Sequence, residues 1–182
     1  MHALHRRVAH LGATLAVLSL VGCSIDVQKD DQGRQADVDI RAFGNAVRVH
    51  TDVPADGTGL AVYPGARPSR RHDRAESANV DVRSWFGVSV QVVAAKFESD
   101  DDPEQVRVFY REQLAQYGPV VECRGHVSFR RSEGARRPVC NGDGRTEELK
   151  LVTGTDENQR IVTIEPDGDG TEFALVYVNN ES

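Results

Sequence analysis

Beyond its first 22 residues, this chain's reactive groups are three cysteines, several arginine clusters and a few isolated histidines. Cys123 and Cys140 are spaced to close a loop that a disulfide would stabilise by about 3 kcal/mol through chain entropy. Zinc is another use for two thiols, but no Cys-x-x-Cys or His-x-x-x-His spacing accompanies them to complete a tetrahedral site. Two free thiols are the remaining competitor. Arg124, His126, Arg130, Arg131, Arg136 and Arg137 lie between the two cysteines against the single acid Glu133. A loop so charged is either a constrained solvated surface or a docking patch for an acidic partner. Another basic run, Arg67, Arg70, Arg71, His72 and Arg74, reads as a solvated loop, with an anion site for phosphate, carboxylate or glycan charge as the alternative.

Signs of catalysis are sparse. His50, His72 and His126 each stand alone in sequence. There is no Gly-x-Ser-x-Gly elbow, no phosphate-cradling P-loop and no His-Glu-x-x-His. The Gly-Asp-Gly runs at 142–144 and 168–170 lack the spaced oxygen ligands of an EF-hand loop and read as turns. No cofactor and no metal are expected.

Residues 1–22 fix an address. His2, His5, Arg6 and Arg7 make a positive start, 11–21 is a largely apolar run, and small residues lead into Cys23. That order describes a secretory signal peptide, and the run is too short for a membrane span, which needs about 20 apolar residues. Leu20-Val21-Gly22-Cys23 resembles the lipobox of bacterial lipoproteins. The resemblance implies a diacylglyceryl group on Cys23, cleavage before it, N-acylation, and anchoring by two or three acyl chains. Ser24 in the next position favours the outer membrane of a two-membrane envelope, with the protein facing the periplasm. In such an oxidising compartment disulfides persist, which favours the Cys123–Cys140 pairing over free thiols.

Residues 23–35 are polar and read as a lipidated tether; residues 36–182 read as one domain. Cleavage would remove two arginines and no acid, leaving 20 of the 22 basic side chains against all 28 acidic ones, about −8. Such a balance argues against a nucleic-acid partner.

The expected fold class is α+β: an antiparallel sheet of hairpins plus a C-terminal meander, with one packed α-helix. Residues 36–52 alternate as a hairpin turning at Phe43-Gly44, placed at the domain's periphery. The pattern Val38-Asp39-Ile40-Arg41 returns as Val80-Asp81-Val82-Arg83, which suggests a duplicated β unit. Residues 54–77 read as a long loop with a Pro64-Gly65 type II turn. Residues 80–97 read as one bent strand or as two strands around Trp85-Phe86-Gly87. Asp101 or Asp102 caps a helix over 103–117 that buries Val106, Phe109, Tyr110, Leu114 and Tyr117. A short strand follows at 119–123, and 147–180 reads as three strands.

Residues 60–123 also resemble a group of uncharacterised exported bacterial domains. The shared features are Tyr63-Pro64-Gly65-Ala66, a strand pair, and a helix of the type Val106-x-x-Phe109-Tyr110-x-x-x-Leu114. Many of that group carry Gly-Trp after the helix where this chain has Tyr117-Gly118. The resemblance implies a fold and no chemistry. The expectation is a non-enzymatic, lipid-anchored binding or envelope-associated module. The alternative is a small hydrolase or transferase acting on envelope polymers.

Overall fold

A computed structural model describes residues 24–29, 35–42, 45–51, 55–71, 74–75, 77–84, 87–142 and 144–181. The expected signal peptide, Cys23, the Phe43-Gly44 turn, His72 and Trp85-Phe86 lie outside the described residues.

Alternating side chains dictate most of the chain. β1 (Ser24–Lys29), β2 (Gln35–Ala42) and β3 (Asn45–Thr51) pair antiparallel in sequence order. A short 3-10 helix at Ala55–Thr58 follows. β4 (Arg67–Pro68) is a two-residue strand, and β5 (Arg70–Arg71) with β6 (Arg74–Ala75) makes a small separate ribbon. β7 (Ser77–Arg83) and β8 (Ser89–Ser99) pair as two strands, not one bent one. After the helix α1 (Pro103–Ala115) come β9 (Val121–Cys123), β10 (Val127–Ser132) and β11 (Ala135–Cys140). β12 (Leu149–Gly154), β13 (Asn158–Asp167) and β14 (Gly170–Glu181) close the chain as the expected meander.

One large antiparallel sheet runs β1-β2-β3-β7-β8-β14-β13-β12-β9, with β4 paired to the far end of β8. The expected sheet with a single packed helix is present. The balance, however, is mostly β, more so than α+β implies, because three segments read as tether or loop are strands. Ser24–Lys29, assigned to the tether, pairs along β2 from Ser24↔Arg41 to Lys29↔Gln35. Its Ile25 and Val27 alternate with Asp26 and Gln28, a strand pattern that the surrounding polarity hides. The hairpin at 36–52 joins the main sheet near its edge, where β3 hydrogen-bonds to β7. The basic loop between the cysteines is the β10–β11 hairpin.

α1 starts as its sequence requires. The Asp102 carboxylate accepts from the Glu104 amide at 2.8 Å, and Pro103 occupies the first turn. Gly118, at φ +135, and Pro119 stop it shortly beyond Ala115. Val106, Tyr110 and Leu114, spaced by four, are fully buried, whereas Phe109 is only half-buried and Tyr117 is 40% exposed. The helix lies over β12, β13 and β14. Below it sit Leu151, Val162, Ile164, Phe173 and Leu175, joined by Ala95 and Phe97 of β8.

Tyr63-Pro64-Gly65-Ala66 is the expected turn: Ala66 N–H donates to Tyr63 C=O at 3.0 Å and Gly65 has φ +79. It delivers the Tyr63 ring edge-on to Phe109, with centroids 5.2 Å apart. The Tyr63 amide donates to the Tyr110 hydroxyl at 3.0 Å, and burial pushes that phenol's pKa up. Tyr63 itself donates to Asp101 at 2.9 Å.

Candidate functional site

The two cysteines meet as expected, with an S–S distance of 2.06 Å and Cα atoms 5.2 Å apart. Cys123 pairs with Lys150, which pairs with Thr163, then Ala174, then Lys96. Residues opposite one another share a face of the sheet, so Cys123 lies on the side away from the helix-packed Ala95 and Phe97. The disulfide therefore brings the β10–β11 hairpin to the side opposite α1. There β11 lies against β9 and β12, and Pro138 and Val152 are buried. The Asp156 amide donates to Arg136 C=O at 3.1 Å, and the Arg136 guanidinium pairs with the Asp156 carboxylate at 3.3 Å.

The hairpin turns on Glu133 (φ 51) and Gly134 (φ 84), between paired Ser132 and Ala135. Positive φ at both central residues marks the turn type that matches strand twist. Arg131 then faces Arg136, and Arg130 faces Arg137. Like charges directly opposite destabilise a strand pair by a few tenths of a kcal/mol to about 1 kcal/mol. Two such pairs in succession are therefore held against their own repulsion by the disulfide and the Asp156 contacts. Arg130, Arg131 and Arg137 carry no ion pair among the described residues.

The remaining expected site residues fall elsewhere. Arg124 turns from the hairpin and donates to Glu147 C=O at 2.7 Å, near the N-terminal end of α1. The His126 side chain is exposed, with no carboxylate paired to it among the described residues. So four of the six patch residues come onto one hairpin, as two pairs on its opposite faces. Arg67 of the other basic run forms a two-pronged pair with Asp100, both bonds 2.9 Å. The Gly168-Asp169 link is the two-residue turn between Asp167 and Gly170. Among the described residues no group of His, Cys, Asp and Glu could hold a metal ion.

A second feature escaped sequence reasoning. On the same side as the disulfide, the rung Val38, Val49, Val80, Val92 and Val178 crosses five adjacent strands. The next rung towards the β2–β3 link holds Ile40, Val47, Val82 and Val90; the one on the other side holds Ala78, Ala94, Val176 and Ile161. Apart from Ile40 at 37% and Val82 at 36% exposure they are half-buried, and no further layer among the described residues lies over them. The opposite face of these same N-terminal strands is ionic: Asp39 takes Arg41 at 2.9 Å and Arg48 at 3.2 Å, and His50 meets Asp37 at 3.1 Å. One signal was available. A single helix about 20 Å long cannot cover a sheet this wide, so some apolar parity had to remain open.

No protein-family model, curated protein or solved structure matches this chain.

Proposed function

We propose that this chain is a non-enzymatic binding module, exported, held to the periplasmic side of the outer membrane by lipid on Cys23, that docks an acidic partner or envelope polymer on its arginine hairpin. The observation that carries this reading is the pair of Arg–Arg rungs, Arg130–Arg137 and Arg131–Arg136, in an otherwise acidic chain. Folding gains nothing from facing like charges, and an anionic group bound at either rung, one on each face of the hairpin, relieves that repulsion. Charge-assisted hydrogen bonds from guanidinium groups would then supply directional affinity. Lipobox and signal-peptide features of 1–23 support the address. No helix among the described residues is long and apolar enough to cross a membrane.

The test is a titration of the full chain, in mild detergent, with fluorescent poly-L-glutamate. The variant carries Arg130→Gln, Arg131→Gln and Arg137→Gln; Arg136 stays because Asp156 holds it. Charge-assisted contacts are worth roughly 1.5–3 kcal/mol each, so affinity should fall at least about tenfold, and Arg67→Gln should leave it unchanged. Equal binding by wild type and the triple variant would show that the hairpin is not the docking site.

A further inference from the structure

We infer that the open valine face is where a second copy of this chain docks, sheet against sheet. Unlike the arginine hairpin, this surface recognises apolar area, and it stands whether or not the hairpin binds anions. Three features point to a second copy.

Size is the first. The three rungs hold thirteen apolar side chains, staggered over six strands from β2 through β3, β7, β8 and β14 to β13. At about 4.8 Å between strands and about 6.8 Å between rungs, each side chain covers roughly 33 Å², so the patch is about 420 Å² in projection. A monomer's largest open apolar patch is typically about 300–600 Å², and a standard interface covers about 800 Å² of accessible surface per partner. A valine surface of this size supplies the apolar core of such an interface, and the polar residues around it supply the rim.

Shape is the second. Adjacent strands rotate by about 20–25°, so five steps turn the patch through roughly 100° or more. A flat bilayer touches only part of such a surface. Another sheet of the same twist follows all of it, as paired sheets do in sandwiches at about −30° and about 10 Å separation.

Charge is the third. The rungs of Val38 and Ile40 hold only Val and Ile from β2 to β8, so self-pairing across a two-fold axis sets no like charges together. Charge begins at the rim, with the Lys96–Glu172 pair at 2.5 Å.

Cross-linking in native envelopes tests this with the full chain. Val80 is central to the face, and Asp81 is its neighbour on the opposite side of the same strand. Facing sheets lie too far apart for a direct disulfide, so a short bis-maleimide is the reagent. Val80→Cys should give a band at twice the mass and Asp81→Cys should not, although both retain the same Cys23. Sedimentation of the purified chain in mild detergent should show a dimer that Val80→Asp converts to monomer. If Val80→Asp loses its circular-dichroism spectrum, the Val80→Cys cross-link alone decides. Absence of that band, a Val80→Cys adduct to a different protein, or equal bands from both cysteines would overturn the proposal.

Discussion

Arg67 and Asp100 show how a single surface pair is used in this molecule. Their two-pronged contact ties β4 to the corner between β8 and α1. Hydrogen bonding and charge from Arg67 hold the Asp100 carboxyl below its ordinary 3.8. Arg107 does the same for Glu104, below 4.5, in the first turn of α1. Lowered carboxyl values contribute stability above the ordinary pKa, and that stability is lost as pH falls through the lowered one. The urea midpoint should therefore hold steady from neutral pH to about 4.5 and decline below about 4. Arg67→Gln should make the acid decline shallower while the neutral midpoint changes little, because both partners are solvent-exposed. An unchanged acid limb in that variant would mean the pair forms only transiently.

α1 was the most legible element, and its details show what sequence leaves open. Asp102, Pro103 and Gly118 are local signals and set its ends. Which residues of the apolar stripe reach zero exposure depends on what lies beneath. The Tyr63 turn covers Phe109 from the side, leaving it half-buried, while Val106, Tyr110 and Leu114 meet the sheet. Leu114→Ala should cost about 2–5 kcal/mol, and Phe109→Ala distinctly less, measured as denaturation midpoints on the same day. A larger loss from Phe109 would place that ring deeper than this packing allows. The arginine hairpin was legible in charge and in its cysteines but not as strands, because Arg and Pro are poor strand markers and its register depends on the Glu133-Gly134 turn. β1 was missed for a related reason: two apolar residues among acids carry too little periodicity to outweigh a polar segment.

At the scale of the molecule, one helix and one wide sheet leave an ionic surface, a valine surface and an arginine hairpin held against the latter's edge. The alternation of Val38, Val49, Val80 and Val92 was readable, but which face remains open depends on where α1 lands, a long-range outcome. β1 also alters the geometry of anchoring. Because Ser24 already pairs with Arg41, acyl chains on Cys23 would hold the sheet's edge strand at the headgroups rather than on a free tether. The proposed place of action in the envelope depends on that address, and metabolic labelling with a fatty acid tests it most directly. Wild type should take up label, partition into detergent and begin at residue 23. Cys23→Ser should take up none and leave the membrane fraction while keeping its fold, since Cys23 lies outside the Cys123–Cys140 disulfide. If Cys23→Ser still incorporates fatty acid and sediments with membranes as wild type does, the chain is not a lipoprotein anchored at this residue.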